Sequence, residues 1–127
     1  PGVVVTRPLP YSAMVELLAR SALVVTDSGG LQEEAAWFGV PTVVLRPTTP
    51  RWEGVDAGLA EVVGLDRERA LAATARLAPL ATRRALDALP CPYGDGHTAE
   101  HVADLLDDEK VRAMLEIREP ALGARVR

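Results

Sequence analysis

A chain of 127 residues, 48% hydrophobic and 25% charged, has the composition of one ordinary globular domain, long enough to bury a single core. Its net charge of -4 and scattered arginines exclude a phosphate-backbone surface and so a nucleic-acid partner, while one cysteine, Cys91, excludes an internal disulfide and suits a reducing compartment. No run approaches the roughly 18 apolar residues that cross a bilayer, and the N-terminus lacks the basic-then-apolar order of a signal peptide, so a cytoplasmic protein without a membrane partner is expected.

Val3-Val4-Val5-Thr6 reads as a buried strand, stopped by Arg7-Pro8-Leu9-Pro10 because proline cannot continue a ladder. A helix follows, with Tyr11, Met14, Val15 and Leu18 on one face and Ser12, Glu16 and Arg20 on the other. Ala22-Leu23-Val24-Val25 is a second strand, short, apolar and β-branched, as expected of one buried on both faces.

Thr26-Asp27-Ser28-Gly29-Gly30-Leu31-Gln32-Glu33-Glu34 then turns from strand to helix through a glycine pair. Such a turn is either a tight connection and nothing more or an anion site. The helix N-terminus presents unpaired N–H groups and the positive end of a dipole, and glycine lets a ligand approach the backbone closely. Leu31, Ala35 and Phe38 recur at helical spacing, and Glu34 falls about 60° from Leu31 inside their stripe, with Glu33 on the opposite side. An acid placed there needs a partner, either an arginine such as Arg46 or Arg51 or the hydroxyls of a nucleotide ribose.

The helix ends at Gly39, a candidate left-handed cap, and Pro41 leads into a third strand, Thr42-Val43-Val44-Leu45. The loop Arg46-Pro47-Thr48-Thr49-Pro50-Arg51-Trp52-Glu53-Gly54 is either a proline-stiffened surface loop or, being rich in donors, part of a site. Ala60-Glu61-Val62-Val63, closed by Gly64, is a weaker fourth strand, and Asp66 caps a helix carrying Ala70, Leu71, Thr74 and Leu77. Another helix covers about Leu80 to Leu89, and a turn cluster runs from Pro90 to Gly96. A further helix after Thr98 carries Val102, Leu105 and Leu106. His97 and His101 lie one turn apart on it, but without a third ligand nearby they read as a solvated face and not a metal site. The tail from Glu109 reads as a short helix followed by disorder.

Strands alternating with helices predict an α/β fold with a parallel sheet, which binds ligands beyond the carboxyl ends of its strands. The Pro8 to Pro10 turn, the Ser28-Gly29-Gly30 turn and the Thr48 to Arg51 loop all follow strands and should emerge at one sheet edge. Three such loops with an inward acid behind them look like a nucleotide site.

The string Thr26 to Ala35, then Gly39-Val40-Pro41 and Leu45 to Gly54, resembles the C-terminal domain of the non-hydrolysing bacterial UDP-N-acetylglucosamine 2-epimerases. Pro8-Leu9-Pro10-Tyr11, Ala57-Gly58, Val63-Gly64 and Pro92-Tyr93-Gly94-Asp95-Gly96 extend the likeness over about Val3 to Leu106. The resemblance implies a truncated C-terminal domain of the GT-B type, a three-layer Rossmann-like half-domain with a mainly four-stranded parallel sheet over residues 1–108 and a tail over 109–127. It also implies that Ser28, Gly29 and Gly30 hold the diphosphate of UDP or UDP-N-acetylglucosamine, Glu34 the ribose and Arg51 the phosphates or the domain closure, with Leu9 and Met14 lining the uracil pocket. Family members need no metal or redox cofactor.

The family's acidic catalytic residues and active-site histidine belong to segments absent from these 127 residues, so no catalytic residue is assigned and the chain is expected to be inactive alone. Pro50 and Trp52 stand where the family has Glu and Pro, and Met14 where an aromatic is common. A homo-oligomer, or a partner supplying the missing N-terminal half, is expected. A stand-alone nucleotide-sugar-binding or interaction module and the donor-binding half of a GT-B glycosyltransferase are the alternatives; the spacing from Asp27-Ser28-Gly29-Gly30 to Arg51 favours the epimerase.

Overall fold

A computed structural model describes residues 2–115, which divide into two compact units, one ending at Tyr93 and the other beginning at Gly94. The first contains α1 (Tyr11–Arg20), β1 (Val24–Thr26), α2 (Gly29–Trp37), β2 (Thr42–Val44), α3 (Trp52–Asp56), β3 (Ala60–Val62), α4 (Arg67–Leu77) and α5 (Leu80–Asp87). The second contains α6 (Thr98–Asp107) and α7 (Glu109–Leu115). The expected disordered part of the tail lies outside the described residues. Among the described residues no helix is long and apolar enough to cross a membrane.

The sheet is parallel with order β1-β2-β3, pairing Val25 with Val43 and Val43 with Glu61. Its ladder continues at both ends, where Val24 N donates to Pro41 O at 2.9 Å and Leu45 N to Thr26 O at 2.9 Å. The central β2 is buried throughout, as a strand covered on both faces must be. Successive side chains alternate between the faces, so Val24 packs with Leu18, Ala35 and Val40 under α1 and α2, while Leu23, Val43 and Val63 pack with Ala73 of α4. This gives the expected layers of helix, sheet and helix.

The sheet has three strands where four were expected. Val3, Val4 and Val5 belong to no strand and are 90%, 84% and 91% exposed. β-branched residues favour a strand only where the ladder and the packing are made, and among the described residues this segment is paired to neither outer strand of the sheet, β1 or β3. The free edge of β1 stays open, which leaves Val25 50% exposed although it points to the same side as the partly buried Leu23.

Helix ends follow their local signals. Gly39 takes φ +60 after α2, with its N–H on Ala36 O at 3.0 Å, and a side chain there would collide with the Asp87 backbone. Asp66 Oδ1 accepts from Arg69 N at 3.0 Å to cap α4. At the opposite end of α1 and α2, the Arg83 guanidinium of α5 donates to Ser21 O and Phe38 O at 2.6 Å each and to Ala19 O at 3.3 Å. It thereby satisfies carbonyls that two helix C-termini leave without partners.

Candidate functional site

The turn from β1 into α2 is built by short-range capping. Ser28 N donates to Thr26 Oγ1 at 3.0 Å, and Ser28 Oγ accepts from Leu31 N at 3.4 Å as the N-cap of α2. Leu31 N is thus capped, while among the described residues the N–H groups of Gly29 and Gly30 have no acceptor. Neither glycine has a left-handed φ, and a Cβ built on either meets no atom within 4 Å. Neither backbone strain nor internal packing therefore requires glycine at these two positions.

The turn is tied to the loop after β2 through Gln32. This side chain is 2% exposed; its Nε2 donates to Ser28 O at 3.1 Å and its Oε1 accepts from Thr49 Oγ1 at 2.8 Å. Thr49, also 2% exposed, in turn accepts from Arg51 N at 3.1 Å. On the other side of Arg51, the Tyr93 hydroxyl donates to Arg51 O at 3.2 Å and accepts from Gly54 N at 3.0 Å. Gly54 is buried in α3 against this hydroxyl, which a Cβ would strike. The backbone of Arg51 is therefore held on both sides by buried or part-buried hydrogen bonds. Burial, with the charges of Glu53 and Glu33 added, raises the Tyr93 pKa against the opposing pull of the Gly54 N–H and of Arg51.

The helical wheel singles out Glu34 as the inward acid, with Arg46 or Arg51 as its protein partner, and the structure corrects this pairing. Glu34 Oε1 accepts from the Tyr11 hydroxyl at 3.2 Å, and its charge raises the Tyr11 pKa. Arg51 pairs with Glu33 instead, its Nε in ionic contact with a carboxylate oxygen and not aligned as a hydrogen bond. Arg46 Nη1 donates to Asp27 O at 3.4 Å. The buried polar side chain of α2 is Gln32, which shares the inward face with Ala35 and Ala36. The wheel is rotated because two of its three anchors, Leu31 and Phe38, are only partly buried, while Ala35 is shared by both faces. The four-residue spacing from Ser28 to Gln32 and to Ala36 is the sequence signal for the true face.

Arg46 on Asp27 and Thr49 on Gln32 bring the loop after β2 beside the Ser28-Gly29-Gly30 turn, whereas the Pro8 to Pro10 turn follows no strand and the contact next to it is that of Tyr11 with Glu34, farther along α2. Met14 lines an apolar cavity of about 210 Å³ with Leu17, Val24, Val25 and Leu31. Leu9, 38% exposed, is not among the residues that line it. In the second unit His97 and His101 are exposed and stand nearest to Glu100 and Asp95 respectively.

A family model described as UDP-N-acetylglucosamine 2-epimerase matches residues 1–107. The UDP-N-acetylglucosamine 2-epimerase of Escherichia coli K12 is 36% identical over 111 residues, which cover 87% of this chain and 30% of that protein. That of Campylobacter jejuni is 35% identical over 101 residues, covering 79% and 26%. The fold is similar to the UDP-GlcNAc 2-epimerase of Neisseria meningitidis bound to UDP-GlcNAc, with a TM-score of 0.69 and 32% identity over 81% of this chain and 29% of that one. It is equally similar to the Methanocaldococcus jannaschii enzyme in complex with UDP-GlcNAc and UDP, with a TM-score of 0.69 and 32% identity over 80% and 26%. The chain spans less than a third of the length of these relatives.

Proposed function

Because the chain belongs to the UDP-N-acetylglucosamine 2-epimerase family, we propose that it is the UDP-binding part of such an enzyme, competent to hold the nucleotide and without catalysis of its own. Residues 1–108 form the binding region, and residues 109–127 follow it as a tail. The diphosphate sits on the N–H groups around Ser28, Gly29 and Gly30, where hydrogen bonding and the α2 dipole both favour an anion. Arg51 adds the neutralising cation, Glu34 accepts from the ribose hydroxyls, and Leu9 and Met14 flank the uracil. Interconversion of UDP-GlcNAc and its manno epimer requires the rest of an epimerase, supplied by a longer polypeptide or a partner chain in the cytoplasm.

The observation that carries this reading is the pair of N–H groups at Gly29 and Gly30, without an acceptor among the described residues, at two positions where neither φ nor the space around an added Cβ calls for glycine. Close approach of a ligand to the backbone accounts for both residues. The test is calorimetric titration of the chain with UDP, repeated on Gly30→Asp, which sets a bulky negative charge where the phosphates lie. Loss of binding in the variant supports the assignment; equal UDP affinity in variant and parent refutes it. Incubation with UDP-GlcNAc in heavy water checks the second half, with no deuterium expected at C2 of the sugar.

A further inference from the structure

Arg51 is anchored by its backbone, while its side chain is engaged by an ion pair with Glu33. Its N–H is bound by Thr49 and its carbonyl by Tyr93, and Thr49 is fastened in turn to Gln32, the residue that precedes Glu33 on α2. These bonds fix the separation of the Glu33 and Arg51 backbones, so the remaining freedom lies in the two side chains. Those side chains form an ion pair and are 41% and 36% exposed, respectively. Glu33 lies one helical turn beyond Gly30.

We propose that Glu33 is an internal stand-in for the ligand's phosphates: it holds Arg51 until a nucleoside diphosphate seats on the Gly29-Gly30 turn, and then yields the guanidinium to it. The inference rests on the diphosphate reading given above and adds a residue that sets affinity without touching the ligand. A half-exposed ion pair is worth little and breaks cheaply. A diphosphate offers more charge than a carboxylate and oxygens spaced for the planar fork of an arginine, so the exchange runs towards the ligand. Until the exchange occurs, the pair withholds Arg51, and the apparent affinity falls by the fraction of molecules in which Arg51 is withheld. The pair also keeps the long arginine side chain close to where the phosphates arrive.

The experiment is a double-mutant cycle on the full chain, with Glu33→Gln, Arg51→Gln and the two combined, titrated calorimetrically with UDP and with uridine. Glu33→Gln should bind UDP about two- to fivefold more tightly, the scale of a half-exposed ion pair, and uridine unchanged. In the Arg51→Gln background the gain should vanish, because Glu33 acts only through Arg51. Glu33→Ala should give the same order of affinities and covers a glutamine that still bonds to Arg51. Unchanged or weaker UDP binding by both Glu33 variants overturns the proposal while leaving the glycine-turn reading intact. A gain that persists without Arg51 also overturns it, since removal of a nearby negative charge then suffices. Absence of UDP binding in parent and variants alike overturns the diphosphate reading and this inference with it.

Discussion

Thr49 Oγ1 donates to Gln32 Oε1 at 2.8 Å between side chains that are each 2% exposed, and this single bond joins the loop after β2 to the helix that begins at the glycine turn. A buried amide and a buried hydroxyl are costly unless both are satisfied. Their pairing therefore fixes the mutual position of two loops that belong to the proposed site.

Replacing Gln32 with Leu, or Thr49 with Val, should each lower stability by about 1–3 kcal/mol, since the partner left behind remains buried without its bond. The double variant should lose less than the sum by the worth of the shared bond, while the Gln32 bond to Ser28 O and the Thr49 bond from Arg51 N are each lost with their own substitution. Urea denaturation of the parent, both single variants and the double checks this; strictly additive losses would show that the two side chains do not depend on each other.

Gly54→Ala should destabilise the chain because its Cβ meets the Tyr93 hydroxyl, and Tyr93→Phe should relieve part of the defect. With the oxygen gone, the nearest ring atom lies 3.3 Å from the added carbon, a tight but tolerable contact. Tyr93→Phe alone forfeits two hydrogen bonds, at roughly 1 kcal/mol each. Thermal unfolding of the three variants measures the rescue, and a double variant less stable than Gly54→Ala alone would contradict the geometry.

Gly30→Ala should separate stability from binding. Nothing within 4 Å opposes the methyl group and φ is not left-handed, so the change should raise stability by up to about 1 kcal/mol through helix propensity. The same methyl intrudes where phosphate would approach the backbone, so UDP affinity should fall. A variant that is more stable and binds UDP as well as the parent would remove the reason offered for this glycine.

Glu34→Gln should weaken binding of UDP and of uridine alike by roughly 1–3 kcal/mol, the range for a hydrogen bond to a charged group. Loss confined to UDP would assign Glu34 to the phosphates and not to the ribose. The same change removes the charge that raises the Tyr11 pKa, so absorbance titration should find that phenol ionising at lower pH in the variant.

Alkaline stability should depend on Tyr93. Its folded pKa lies above the ordinary value of 10.0, so the stabilisation that comes with the neutral phenol is complete below pH 10.0 and is lost as the pH rises through the folded pKa. Tyr93→Phe should flatten the decline of the melting temperature above pH 10, and an equal decline in parent and variant would place the alkaline transition elsewhere.

Features governed by neighbours along the chain are legible from residue type and spacing alone. The N-cap Asp66 binds the N–H group three residues on, Gly39 adopts the left-handed turn that ends its helix, and the short β-branched run from Thr42 to Val44 is a buried strand. The string from Thr26 to Ala35 likewise carries the resemblance that identifies the family.

Tertiary structure decided the rest. Val3 to Thr6 has the composition of a strand and forms none, because a strand exists only where it pairs, and composition does not report whether a segment docks on an edge. The wheel puts Glu34 inside and does not assign the buried amide to Gln32, since Leu31 and Phe38, both only partly buried, shift the apparent face. Tyr93 and Gly54 lie 39 residues apart, and nothing local to either announces that the hydroxyl of one occupies the space a side chain would need at the other. Capping and helix ends depend on contacts within a few residues, which periodicity and residue type encode directly. Which acid meets Arg51, and which phenol holds its backbone, depends on how separate elements pack, and the chain specifies that only through the whole fold.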